Sequence, residues 1–179
     1  MESNHRRNFR LNSSGLLVFI LIAIAVHFYG CKVKYSFTGA STTGLRNFSI
    51  QYFQNRAPVV QPGLAQAITD ALIDKCKGQT NLKYTTSTGD ADFVGEITDY
   101  NTRPYTVAAD AQAALNRFTI TVKVKFTNAV DLNLNFEQTF SRYRDYDSNL
   151  DLSSVEKDLS DKIVEELVED IFNQAFVNW

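Results

Sequence analysis

Residues 115–127 read Leu-Asn-Arg-Phe-Thr-Ile-Thr-Val-Lys-Val-Lys-Phe-Thr, and this stretch decides the fold. Phe118, Ile120, Val122, Val124 and Phe126 occupy every second position. Thr119, Thr121, Lys123, Lys125 and Thr127 fall between them. A period of two is a strand with one face on the core and one face wet or against something polar. Asn128 to Asp131 reads as a turn. Beyond it Leu132, Leu134, Phe136, Gln138 and Phe140 alternate with Asn133, Asn135, Glu137, Thr139 and Ser141. So short a turn makes the two strands an antiparallel hairpin.

Working back from the hairpin, Asp92–Tyr100 is a strand that should end near Arg103-Pro104, and Leu82–Thr86 is a short extended lead-in. Leu64, Ala67, Ile68, Ala71 and Leu72 follow helical spacing, with Pro62 placed as the first helical residue and Gly78 as the stop. Lys75 and Lys77 fall in the last turn, where cations suit the dipole. Cys76, on the edge of the apolar face, reads as a small buried core residue, with a reactive thiol as the sharper alternative. Asn47–Phe53 alternates and is the first strand. Forward of the hairpin, a helix runs from about Ser154 to Asn178, opened by a Ser153-x-x-Glu156 capping box. Its apolar stripe begins with Val155, Leu159 and Ile163 and moves round to Val168, Phe172 and Phe176. The end of that helix, with Trp179, therefore either bends around the core or touches another protein.

The order is β-α-β-β-β-α. A right-handed crossover through the first helix makes the first two strands parallel. Both helices then cover one face of a mixed four-stranded sheet, an α+β two-layer sandwich. The 179 residues suit one domain. The N-terminus reads differently: His5, Arg6, Arg7 and Arg10 precede the apolar run Leu16–Phe28, which is followed by Gly30-Cys31. Thirteen residues are too few for a helical span of about 20, and match a signal-peptide core. The expected division is residues 1–30 as a lipoprotein signal peptide, 31–46 as a lipidated N-terminus and tether, and 47–179 as the domain. The remaining 149 residues carry net charge −4 and no histidine, since His5 and His27 both lie before Cys31.

That inventory excludes much. Without histidine there is no Ser-His-Asp or Cys-His arrangement and no histidine metal site. No phosphate-cradling glycine loop is present, no cofactor is implied, and the acidic balance argues against nucleic acid. Asp90 and Asp92 form a carboxylate pair that nothing else singles out. Eight acids between Asp151 and Asp170 read as a solvated helix face. By contrast, residues 111–127 hold Arg117, Lys123 and Lys125 and no acid. Lys123 and Lys125 share the polar face, with Arg142 nearby on the partner strand. They serve either to keep an edge strand from pairing or to bind phosphate.

The segments GCKVKYSFTG (30–39), SIQYFQNRAP (49–58), FVGEITDY (93–100), ALNRFTITVKVKFTN (114–128), FEQTFSRYRDYDS (136–148) and LVEDIFNQAFVNW (167–179) together resemble the LptE family of lipopolysaccharide-assembly lipoproteins, in a divergent branch. The resemblance implies two helices on a four-stranded sheet. It also implies a non-enzymatic lipoprotein of the outer membrane facing the periplasm, which plugs an LptD-type β-barrel, helps it assemble and binds lipopolysaccharide. Cys31 matches the lipidated cysteine, and Lys123, Lys125, Arg117 and Arg142 match the kind of residue used toward lipid A. The absence of acids after Cys31 also suits an inward-facing protein. A different class stays open: an accessory scaffold lipoprotein regulating a peptidoglycan synthase or a secretion channel.

Overall fold

The strand period of 115–127 is realised as the central ladder of a computed structural model that describes residues 41–105 and 114–177. Cys31, the signal-peptide segment and Trp179 lie outside the described residues. The elements are β1 (Asn47–Ile50), β2 (Gln54–Asn55), α1 (Leu64–Gln79), β3 (Lys83–Tyr84), β4 (Ala91–Tyr105), β5 (Leu115–Asn128), β6 (Phe136–Asp147) and α2 (Leu152–Phe176). The sheet order is β3-β1-β4-β5-β6, with β2 also on β4. β1 runs parallel to both β3 and β4, as the crossover requires, while β4, β5 and β6 are antiparallel. The class is the one expected, with six strands instead of four: the two additional strands are two residues each.

Both helices pack on the face carrying Phe118, Ile120, Val122, Val124 and Phe126, each fully buried. The moving stripe of α2 has a plain cause. Leu159, Ile163, Val164, Leu167, Val168, Ile171 and Phe172 are all buried, and α2 packs against α1 as well as against β5 and β6. The aromatic end is core: the Phe176 ring lies 5.9 Å from Phe93, 5.8 Å from Phe126 and 5.3 Å from Phe172. Cys76 is fully buried, and burial pushes its thiol up to about 12.

Several boundaries move for local reasons. α1 starts two residues after Pro62 because Gly63 turns left-handed, at φ 84°. It passes Gly78 and is closed by Thr80, whose N–H and hydroxyl both donate to the Cys76 carbonyl. β1 stops at Ile50, and Phe53 turns inward, where its N–H donates to Thr69 Oγ1. β4 continues through Pro104, which pairs with Asn116 well beyond the short reach of β2; proline is tolerated on such an unpaired edge. A bulge falls between Ile97 and Asp99. Leu132–Leu134 form a 3-10 turn instead of strand, capped by Asp131. α2 begins at Leu152, before the expected capping box, and Glu156 accepts instead from the Tyr100 hydroxyl. Ahead of β1, Ser41 N–H donates to the Phe176 carbonyl, and Leu45 is buried.

Candidate functional site

Two helices cover one sheet face, so the other is set by the odd-numbered residues of β5. Cross-strand partners on a sheet share a face, which assigns Lys123 with Thr139 and Glu96, Lys125 with Glu137 and Val94, Thr121 with Ser141 and Asp99, and Arg117 with Asp145 and Arg103. The uncovered face is a polar surface three long strands wide. Near its middle, Gln54, Arg56, Val94, Glu96, Lys123, Lys125 and Glu137 line a shallow recess of about 290 Å³.

Charges alternate across that recess. Arg56 pairs with Glu96 at 3.2 Å, and Lys123 pairs with Glu137. The Lys123 ammonium lowers the Glu137 carboxyl below its usual range, and Glu137 in turn raises Lys123. β5 itself is free of acids, but its neighbours supply Glu96 and Glu137. Lys125 makes no ion pair among the described residues. β5 is paired on both sides, so these lysines protect no edge and that reading of them falls.

Arg117 lies on the same face, farther along β5, and is fully engaged. Its guanidinium forks onto Asp145 at 2.8 and 2.9 Å and lies between the rings of Tyr105 and Tyr143, 3.6 and 3.7 Å from their centroids. That makes it a clamp across β4, β5 and β6. Arg142 is on the other face, opposite Ile120, and forks onto Asp170 of α2 with both contacts at 2.6 Å. Arg144 likewise binds Glu166, and Lys75 of α1 binds Glu169. The acidic run of α2 is thus not simply solvated: three of its acids tie the helix to β6 and α1. Of the four basic residues singled out in the sequence, the structure brings Lys123 and Lys125 together, holds Arg117 apart in its clamp, and removes Arg142 from that face. Arg56 and Glu96 are recess residues that sequence spacing missed, because β2 has only two residues and no period.

The carboxylate pair is structural. Asp90 accepts from Arg46 N–H, and the buried Asp92 accepts from Ser49 Oγ, which in turn accepts from Gly89 N–H. Among the described residues no His, Cys, Asp and Glu cluster could hold a metal ion.

The surface ion pairs predict an acid dependence. Asp145, Glu137 and Glu169 are held below the usual carboxylate range by hydrogen bonds from Arg117, Lys123 and Lys75. A carboxyl lowered in the folded state contributes stability above its unfolded value, about 4, and that contribution disappears as pH falls through the folded value. Urea midpoints should therefore drop as pH falls below about 4. Arg117→Gln should make that drop shallower; an unchanged acid profile in the variant would show the clamp to be electrostatically idle.

A sheet with two helices on one side and a bare, charge-patterned face on the other defines a two-layer α+β domain. Solved structures share this fold. Lipoprotein B from Nitrosomonas europaea is 15% identical with a TM-score of 0.51, over 80% of this chain and 88% of that one. Protein XCC0632 from Xanthomonas campestris is 11% identical with a TM-score of 0.51, over 72% and 84%. No curated protein sequence matches significantly. The family model described as LptE, lipopolysaccharide-assembly, matches residues 45–175, and the chain belongs to that family. Membership gives it a part in lipopolysaccharide assembly.

Proposed function

We propose that the chain is an outer-membrane lipoprotein, acylated at Cys31, whose domain faces the periplasm, plugs an LptD-type β-barrel and binds lipopolysaccharide. The observation that carries this reading is the bare sheet face: polar residues from three long strands, uncovered by either helix. Such a surface suits a hydrated barrel lumen. A two- or three-chain lipid on Cys31 supplies a firm anchor, at about 0.8 kcal/mol per buried methylene. Lys123 and Lys125 are the lipopolysaccharide contacts in this reading. Residues two apart on a strand stand about 7 Å from each other and point the same way. Lys125 is free to take a phosphate, while Lys123 must exchange Glu137 for it.

Affinity purification from envelopes in mild detergent should recover a β-barrel partner, and depletion should lower the amount of assembled barrel. Recovery of a peptidoglycan synthase or secretion channel instead would replace this reading by the scaffold one. Cys31→Ser should accumulate unprocessed precursor. For the lysines, Lys123→Gln with Lys125→Gln is preferable to charge reversal, since a glutamate at 123 would sit between Glu96 and Glu137. Each charge-assisted hydrogen bond is worth roughly 1.5–3 kcal/mol, so lipopolysaccharide crosslinking should weaken roughly tenfold or more. Undiminished crosslinking would remove these lysines from the contact.

A further inference from the structure

We propose that the end of the domain where the chain joins it rests on an anionic phospholipid surface, with the β5–β6 turn dipping into the interface. The proposal rests on the lipid anchor at Cys31 and goes beyond it by assigning a protein surface to the membrane. Ser41 N–H donates to the Phe176 carbonyl at 2.6 Å, which fixes where the chain joins the fold. Cys31 is ten residues earlier, so the anchor lies within about 36 Å of this end even at full extension.

Three features gather there. The β5–β6 turn is one: it packs on Gly44, whose added Cβ would lie 2.9 Å from Val130 Cγ1. The turn is held stiff from within. Asn128 Oδ1 accepts from the N–H groups of Val130 and Asp131, and Asn135 Oδ1 accepts from Asn128 N–H. With its polar groups satisfied internally, the turn presents Val130 at 54% and Leu132 at 70% exposure. Cations are the second feature. Arg46, Lys77 and Lys83 lie at this end, where β1 and β3 begin and α1 finishes. Of the acids here, Asp90 pairs with Arg46, and Asp131 keeps its charge in the turn, where it accepts from Asn133 N–H, so Lys77 and Lys83 carry the surplus positive charge. The third is a recess of about 710 Å³ whose lining mixes Leu45, Leu82 and Tyr84 with Arg46, Lys83 and four uncharged polar residues. Aliphatic tips flanked by basic residues, next to a lipid anchor, are the chemistry of an interfacial contact with acidic lipid.

The test uses the full-length processed protein on vesicles of phosphatidylethanolamine and phosphatidylglycerol. Buried Cys76 stays unlabelled, so Leu132→Cys takes an environment-sensitive fluorophore alone, and Leu150→Cys, at the opposite end and 47% exposed, is the control. Doxyl-labelled lipid should quench the probe at 132 and leave that at 150 unchanged. Arg46→Glu with Lys83→Glu, or replacement of phosphatidylglycerol by phosphatidylcholine, should reduce the quenching. Floated protein with equal quenching at both sites, or none at 132, would overturn this proposal alone. Quenching at 132 that ignores both charge changes would overturn the role of anionic lipid. Failure of the wild-type protein to float would overturn the anchor and this proposal with it.

Discussion

Gly95→Ala should destabilise the domain by about 3 kcal/mol, the upper end of the usual cost of over-packing a core. A Cβ at position 95 would lie 2.2 Å from the Phe53 ring, and Phe53 is fully buried. The ring cannot back away cheaply. Its own N–H is held by Thr69 Oγ1, and Thr69 is itself bonded to the Ala65 carbonyl, so displacing Phe53 disturbs α1. Gly78→Ala is the internal control: nothing lies within 4 Å of its Cβ, and its backbone is helical. There alanine should stabilise by up to about 1 kcal/mol through helix propensity. Urea unfolding of the two variants reads the contrast, and a Gly95→Ala midpoint equal to wild type would mean that Phe53 is not fixed where it stands.

Phe176→Ala should cost about 3–5 kcal/mol, the range for emptying a phenylalanine site in a packed core. The ring joins α2 to β4 through Phe93 and to β5 through Phe126, so its removal opens a void between layers and not at a surface. Far-UV circular dichroism against temperature would measure the loss. A shift of only a degree or two would indicate that the last turn of α2 is peripheral to the core.

The sheet and its two faces were legible because β5 carries an uninterrupted period of two with aromatic and β-branched residues on one side. The parity of β6 was equally informative: Arg142 shares its phase with Phe140, so it had to point toward the helices, and proximity in sequence to Ser141 and Tyr143 was the wrong guide. What stayed hidden was set by contacts distant in sequence. Ser153-x-x-Glu156 satisfies the capping pattern, yet Tyr100 claims the glutamate. An acid-free β5 says nothing of the acids that β4 and β6 bring alongside, so the pairing of Lys123 with Glu137 could not be read from one strand. Two-residue strands such as β2 have no periodicity to detect, and with β2 went the contribution of Arg56 to the recess.

The burial of Cys76 gives the domain a built-in gauge of its own opening. A thiol that is fully enclosed and pushed up to about 12 yields almost no thiolate while the fold is closed. Alkylation then proceeds only through molecules that have transiently exposed α1, so its rate under native conditions measures the free energy of that opening. If Cys31 is acylated as proposed, Cys76 is the one thiol left to react, and this needs no engineered probe. A barrel partner or a membrane that grips the domain should slow the reaction by the factor by which it suppresses opening.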